Sequence, residues 1–330
     1  MLDDIQTINQ HVDVEKFRDK KVMLIGSNGF LGRWFYDFLK YNKIETLCMD
    51  NNICSEKTYF KHKQHNICES IPTDERYDFI INCAGIASPE KYLQHPVATL
   101  DVSYMGTKNI LEYAKRVKPE SILMFSSSEV YGTPDKNNIP TKESYVGSIP
   151  TTSSRSCYDI GKQALETLCY VYYNKYKIPI KVVRPFNAYG PHMGPGDNRV
   201  LSKWMMSCIN NEKIKIYGDG KQTRTFCYAA DCVSMMLGVL LEGDSGQIYN
   251  VGSNTPEINM IDLAEKLYET LGIEKNYEII EYPNEYPADE PSRRCPNIDK
   301  TVHKTNVQPY TPLNAGLKKM HKYFIEEGLK

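Results

Sequence analysis

Lys21-Val-Met-Leu-Ile25, then Gly26-Ser-Asn-Gly29-Phe30-Leu31-Gly32, then Arg33-Trp-Phe-Tyr-Asp-Phe-Leu39, together set the fold class. The first run is short, apolar and uninterrupted, as a parallel strand buried on both faces must be. The last run reads as a helix. Glycines between a strand and a helix let the backbone approach a pyrophosphate, which then sits on the helix N-terminus. Glu45-Thr-Leu-Cys-Met-Asp50 reads as the second strand, ending in an acid with Asn51 beyond it. Asp50 stands roughly 20 residues after the glycines, where a carboxylate would bond the hydroxyls of an adenosine ribose. Taken alone, this stretch also fits a glycine-rich turn in an unrelated α/β protein.

Strand and helix patterns alternate onward. Asp78-Phe-Ile-Ile-Asn82 is a further buried strand, followed by the small residues Cys83-Ala84-Gly85. Residues 97–117 carry apolar side chains at helical spacing and stop before Pro119. Ser121-Ile-Leu-Met-Phe125 is the next strand, with Ser126-Ser127-Ser128-Glu129 at its C-terminal edge. Residues 157–177 read as a long helix and Ile180-Lys-Val-Val183 as a strand. Such alternation implies an α/β, Rossmann-type doubly wound parallel sheet with ligands at the carboxyl ends of its strands. From Pro185 the texture becomes richer in Gly and Pro, and 282–296 is proline-rich and charged. This predicts a dinucleotide-binding domain over 1–185, with a segment returning near 225–252. A smaller, discontinuous lobe for substrate takes up most of 186–330. Gln247-Ile-Tyr-Asn-Val251 is the strand expected to return to the main sheet.

Tyr158 and Lys162 lie four residues apart near the start of the long helix. Residues at that spacing share a helix face. A lysine ammonium beside a phenol favours the phenolate, so a lowered tyrosine pKa and a base for a sugar hydroxyl are expected.

The bulk properties exclude several classes. With 330 residues and a formal net charge of -1, the chain has size for a large core but no field suited to nucleic acid or a membrane surface. Ten cysteines are scattered with no Cys-x-x-Cys, so free thiols and no metal site are expected. His62 and His65 lack companion ligands and read as surface residues. Residues 1–20 are charged without an apolar h-region, and no long apolar run occurs. A cytoplasmic chain without a membrane span is therefore expected.

The chain resembles the extended short-chain dehydrogenase/reductases that act on nucleotide sugars, and among them the UDP-glucuronate decarboxylases. The resemblance rests on Ala87-Ser-Pro-Glu-Lys-Tyr92 with Pro96, Ser127-Ser-Glu-Val-Tyr-Gly132, Cys157-Tyr-Asp-Ile-Gly-Lys162 and Arg184-Pro-Phe-Asn-Ala-Tyr-Gly-Pro191. Asp197-Asn-Arg-Val200 and Tyr217-Gly-Asp-Gly-Lys-Gln-Thr-Arg224 continue it. It implies NAD as cofactor, held by Gly26, Asn28, Gly29, Phe30, Leu31, Gly32, Asp50, Asn51, Asn66, Ile67, Cys83, Ala84, Tyr158 and Lys162. It implies Tyr158 as base at the sugar 4-hydroxyl, Lys162 on the nicotinamide ribose, Ser127 on the same hydroxyl, and Glu129 as the decarboxylase glutamate. Tyr92, Ser127, Asn187, Arg199, Tyr217, Arg224 and Arg294 are the implied contacts to a nucleotide sugar, UDP-linked.

Two departures stand out. Asn66 replaces the usual adenine-contacting aspartate, and Arg33 after Gly32 favours an NADP phosphate that Asp50 would repel. Plainer roles stand beside these. Glu129, Arg199 and Arg224 also suit structural ion pairs, Arg294 a solvated arginine, Ser126–Ser128 a polar strand end, and Cys157 packing. In this family the helices corresponding to 97–117 and 157–177 pair across a two-fold axis, which implies a homodimer. The expected reaction is decarboxylation of UDP-glucuronate to UDP-xylose through a 4-keto sugar. A 4-epimerase or a 4,6-dehydratase is the alternative, and a non-catalytic NAD-binding regulatory protein a remote one. Ser128 weighs against a dehydratase, since many carry Asp there.

Overall fold

The computed structural model describes residues 1–52, 60–194, 196–282 and 291–328. Cys54, Pro195 and residues 283–290 of the proline-rich stretch lie outside them. The strands are β1 (Lys21–Ile25), β2 (Glu45–Asp50), β3 (Lys61–Gln64), β4 (Phe79–Asn82), β5 (Ser121–Phe125), β6 (Ile180–Pro185), β7 (Ala188–Tyr189), β8 (Ile214–Tyr217), β9 (Thr223–Arg224), β10 (Cys227–Tyr228), β11 (Ile248–Val251), β12 (Ile258–Asn259), β13 (Tyr277–Ile280) and β14 (Arg293–Arg294). The helices are α1 (Leu2–His11), α2 (Phe30–Tyr41), α3 (Pro89–Gln94), α4 (Pro96–Asp101), α5 (Thr107–Val117), α6 (Ser156–Tyr176), α7 (Val200–Ile209), α8 (Ala229–Glu242), α9 (Met260–Leu271), α10 (Asp299–Thr305) and α11 (Leu313–Glu326).

Seven strands form one parallel sheet in the order β11-β6-β5-β4-β1-β2-β3. The order reverses between β1 and β4, which opens a crevice at their carboxyl ends. Side chains alternate between the two faces, as strand geometry requires. Val22 and Leu24 of β1 pack with Trp34, Phe38 and Leu237, whereas Met23 and Ile25 pack with Ile110 and Leu165. One face is thus covered by α2 and α8, the other by α5 and α6. The twelve residues from Ala229 to Leu240 in α8 are all buried. That explains an apolar surface on every side of the helix. Beyond β6 lie three small sheets, β10-β7, β12-β9-β14 and β13-β8.

The sequence anticipates the bounds of β1, β2 and β5 and the return of β11 to the main sheet, where it pairs with β6. It does not anticipate α1, whose Ile5 and Ile8 are buried and whose Asp4 accepts from Lys319 Nζ at 2.5 Å. The single helix expected over 97–117 is divided. A π-helical turn, Val102–Gly106, joins α4 to α5. It brings Ser103 against Gly161 of α6, where an added Cβ would lie 3.1 Å from the Ser103 side chain. His62 and His65 are half-buried rather than at the surface. His62 lies 5.9 Å from the Tyr36 ring, and burial lowers the His65 pKa.

Candidate active site

The glycine turn is tight enough to fix its own residue types. Gly26 has φ +79°, and a Cβ there would lie 2.6 Å from Ala84 N. A Cβ on Gly32 would lie 2.0 Å from the Gly26 carbonyl oxygen, whereas one on Gly29 would meet that oxygen at 3.4 Å. Asp50 accepts from Asn28 N at 2.9 Å and from Asn52 N at 3.1 Å, so its carboxylate closes the turn from β2. Asn51 is exposed, and its carbonyl accepts from Gln64 at 3.0 Å. Asn66 is exposed beyond β3 and uses its side-chain oxygen on Cys68 N, 3.0 Å away, while Ile67 is buried below it. Burial pushes the Cys83 thiol up. Asn82 accepts from Ala84 N at 3.2 Å, which shapes the floor at the end of β4.

A cavity of about 630 Å³ opens beside this turn. It gathers most of the expected residues from distant points of the chain. Phe30, Leu31 and Cys83 come from the glycine side. Ser127, Glu129, Tyr158 and Lys162 form the floor. Tyr92, Asn187, Arg199, Tyr217, Arg224 and Arg294 form the walls. Gly26, Asn28, Asp50, Asn51, Asn66, Ile67 and Ala84 stand off the cavity, along the carboxyl ends of β1 to β4 and the loop after β3.

On the floor, Ser126 and Ser127 diverge. Ser126 Oγ donates to Glu166 at 2.5 Å, inside the buried Glu166–Arg184 pair. Ser127 Oγ accepts from Glu129 N at 3.2 Å and is hydrogen-bonded to Tyr158. Ser126 and Ser127 thus each hold a side-chain partner at the strand end.

Tyr158 does not have the lowered pKa expected from its spacing to Lys162. Burial pushes the phenol up to about 12, and the Ser127 hydrogen bond only partly offsets this. Lys162 Nζ is 5.7 Å from the Tyr158 ring centroid and donates to the Phe125 carbonyl at 2.7 Å. Burial draws Lys162 down to about 8. Desolvation of the two neutral-favouring groups outweighs their mutual field.

Tyr92 stacks on Tyr158 with ring centroids 5.1 Å apart and planes 15° from parallel. The Cys157 thiol donates to the Tyr92 carbonyl at 3.6 Å, and burial raises its pKa, as packing would have it.

Glu129 is held by two guanidiniums. Arg294 donates to both its oxygens, at 2.5 and 2.9 Å, and Arg155 donates to Oε2. Arg294 is thus buried and paired rather than solvated. Arg155 is missed by sequence reasoning, because one arginine three residues before Tyr158 leaves no periodic signal. Arg199 pairs with Asp197 through Nε at 2.9 and 3.0 Å and lies over the Phe30 ring at 4.9 Å. Arg224 is buried and donates to the Thr223 carbonyl at 2.9 Å. Asn187 has φ +34° and donates to the Thr225 carbonyl at 2.9 Å. Tyr217 accepts from Lys203 at 3.4 Å. Met193, Leu201, Trp204, Ile216 and Phe226 add an apolar wall that was also not anticipated. Apolar residues of α7 and β8 look like ordinary core in a sequence. No group of His, Cys, Asp and Glu suited to a metal occurs among the described residues.

The described residues contain no helix long and apolar enough to cross a membrane. Comparison with known proteins gives the site its context. The model of the NAD dependent epimerase/dehydratase family matches residues 22–252. A UDP-glucuronic acid decarboxylase 1 from Xenopus tropicalis is 32% identical over 317 residues, covering 93% of this chain and 73% of that protein. One from Arabidopsis thaliana is 35% identical over 309 residues, covering 91% and 68%. Among solved structures, UDP-glucuronic acid 4-epimerase from Bacillus cereus, in complex with UDP-glucuronic acid and NAD, superposes with a TM-score of 0.80 at 22% identity, covering 93% and 99%. A dTDP-glucose 4,6-dehydratase from Streptomyces venezuelae, with NAD and TYD bound, does so with 0.82 at 19% identity, covering 94% and 100%. A parallel sheet with its glycine turn and a cavity floored by Tyr158 and Lys162 agree with these matches, and the chain belongs to the NAD dependent epimerase/dehydratase family.

Proposed function

We propose that this protein decarboxylates UDP-glucuronate to UDP-xylose through a 4-keto sugar. The observation that carries the reading is Glu129, bound between Arg155 and Arg294, in the same cavity as Tyr158. Cationic groups there suit a sugar whose C5 substituent is an anion.

The cofactor cradle fits a dinucleotide. A side chain at Gly26 would strike the backbone of Ala84 and one at Gly32 the backbone of Gly26, so either would force the turn open. The start of α2 would face the pyrophosphate, and Asp50 would take the ribose hydroxyls. Cys83 would border the cofactor with Ala84 behind it, Asn66 and Ile67 would lie toward the adenine, and Lys162 would meet the nicotinamide ribose. When bound, NAD supplies an acceptor for the C4 hydride that later returns it, so no NADH accumulates.

Tyr158 takes the proton of the 4-hydroxyl, and Ser127 hydrogen-bonds the same oxygen. A carboxylate β to the resulting C4 ketone leaves as carbon dioxide because its electron pair delocalises into the ketone. Glu129 is placed to serve proton transfer at the sugar during loss of the carboxylate and reprotonation of C5. Asn187, Arg199 and Arg224 face the diphosphate, with Tyr217 toward the nucleoside end.

The test is incubation with a panel of nucleotide sugars and product masses. Loss of carbon dioxide from UDP-glucuronate supports the reading. Return of UDP-glucuronate unchanged while a neutral nucleotide hexose loses water replaces it with a dehydratase. Glu129→Gln should slow turnover by about 10²-fold while leaving NAD affinity in place, a usual loss for a positioned acid–base group. Asp50→Ala should narrow the preference for NAD over NADP, since the carboxylate both bonds the ribose hydroxyls and repels a 2′-phosphate. Equal titration of both cofactors by the unaltered protein would sink that assignment.

A homodimer is part of the same reading. Val97 and Tyr170 are 70% and 66% exposed, and Leu100, Tyr104, Met105 and Val171 extend the apolar surface along α4, the π turn and α6. A two-fold contact would cover it. Light scattering should give twice the chain mass, and a monomer at micromolar concentration counts against it. The nine described cysteines are unpaired, which supports a reducing compartment such as the cytoplasm.

A further inference from the structure

Arg155 caps the start of α6, three residues before Tyr158. Its side chain is 7% exposed and that of Arg294 is 9% exposed. Arg155 is fixed from several sides. Its backbone N donates to Ser153 Oγ at 3.2 Å, and the next side chain, Ser156, donates to the Pro150 carbonyl at 2.6 Å. Its Nε lies 3.7 Å from Asp159 Oδ2, one turn along the helix. Arg155 therefore shares the rigid frame of the base. Arg294 does not. It comes from β14, a two-residue strand paired with β9 in a small separate sheet.

One carboxylate thus carries two buried guanidiniums, one anchored beside Tyr158 and one arriving from another element. A single guanidinium fork already matches a single carboxylate. Removing the only partner of a buried carboxylate strands a charge at heavy cost. With Arg155 in place, Glu129 keeps a partner when Arg294 leaves.

Given the carboxylated substrate proposed above, we infer that Arg155 is a positioning and specificity residue. It holds Glu129 compensated and oriented while the Arg294 fork turns from Glu129 to the carboxylate of the sugar. A carboxylated sugar completes a second ion pair. A neutral hexose gives Arg294 nothing to turn to. Without Arg155, Arg294 stays on Glu129, and the arriving carboxylate meets a like charge with no cation released to receive it. Discrimination between the two sugars therefore depends on how Arg155, which lines the same cavity, holds Glu129.

The experiment measures binding to NAD-loaded Tyr158→Phe protein, so that bound sugar is not consumed. Calorimetry compares UDP-glucuronate with UDP-glucose. The parent should prefer UDP-glucuronate by about tenfold or more, the scale of one desolvated charge pair. Adding Arg155→Gln should bring the preference within about twofold and leave UDP-glucose affinity within about threefold, since only the charged partner is affected. Arg155→Lys, which keeps the charge but not the fork, should retain part of the preference. An undiminished preference in the glutamine variant overturns the inference, as does equal loss in both variants.

Failure of the substrate reading shows separately, in the parent, as no preference for UDP-glucuronate before Arg155 is altered. That result overturns the inference as well. Glu129→Gln in the same background does not depend on tolerance at position 155. Removing the competing carboxylate should tighten UDP-glucuronate relative to UDP-glucose, and weaker relative binding overturns the exchange.

Discussion

Replacing Tyr158 by Phe should lower turnover by about 10³-fold or more, toward the upper end of what a positioned proton acceptor contributes. The ring would keep its stack on Tyr92 at 5.1 Å, and Lys162 would keep its bond to the Phe125 carbonyl. NAD affinity should therefore stay within about threefold, because the pocket loses one oxygen and no packing. The pH profile separates chemistry from damage. Burial raises the phenol to about 12. The base form is thus scarce at neutral pH and grows as pH rises. Turnover by the unaltered protein should climb with pH on its acid side, and the residual rate of the Phe variant should lack that slope. A Phe variant retaining a tenth of the activity would remove Tyr158 from the role of base.

The second large effect is expected at Gly32. An alanine methyl there would stand 2.0 Å from the Gly26 carbonyl oxygen and 2.9 Å from the Gly26 carbonyl carbon. Space beside Gly26 is short as well, since a Cβ built there would lie 2.6 Å from Ala84 N and 2.8 Å from the Cys83 carbonyl carbon. Overpacking of this kind costs about 1–3 kcal/mol or more. The turn must open, which draws the amides at the start of α2 away from the pyrophosphate. NAD affinity should fall by about 10²-fold, which corresponds to about 2.7 kcal/mol. Gly29→Ala is the control. Its methyl would meet the same oxygen at 3.4 Å, an ordinary contact distance for a side chain. Its loss should be below about tenfold. Equal losses at both positions would mean that local crowding does not govern the cradle.

The main sheet was legible because its strands are buried on both faces. Val22 to Ile25 and Ser121 to Phe125 are wholly buried, and such runs are continuous in apolar character. The glycine turn was legible because steric limits there leave few residue types. The division of the 97–117 helix was not legible. A π turn inserts no proline or glycine pair, and Val102-Ser-Tyr-Met-Gly106 keeps an apolar texture close to helical. The raised pKa of Tyr158 escaped as well, because pair spacing reports a neighbour's charge but not the depth at which both groups lie. Most of the floor of the cavity could be named in advance. The ion-pair cluster on Glu129 could not, since Arg155 and Arg294 are 139 positions apart and nothing local announces that they meet.

β11 has a bearing on how the protein comes to be made. Its residues lie far along the chain, yet they pair with β6, and Asn250 accepts from the Tyr131 hydroxyl at 2.7 Å and donates to the Thr141 carbonyl at 2.9 Å. The segment bearing Glu129 is therefore moored to a strand the ribosome delivers late. Until Val251 has emerged, β6 presents an unpaired edge, and such edges recruit other chains. A gene cut after residue 185 would encode a product with an open edge and an unmoored site. Bisecting the polypeptide there should yield aggregation, whereas supplying the later piece during synthesis should restore a soluble enzyme.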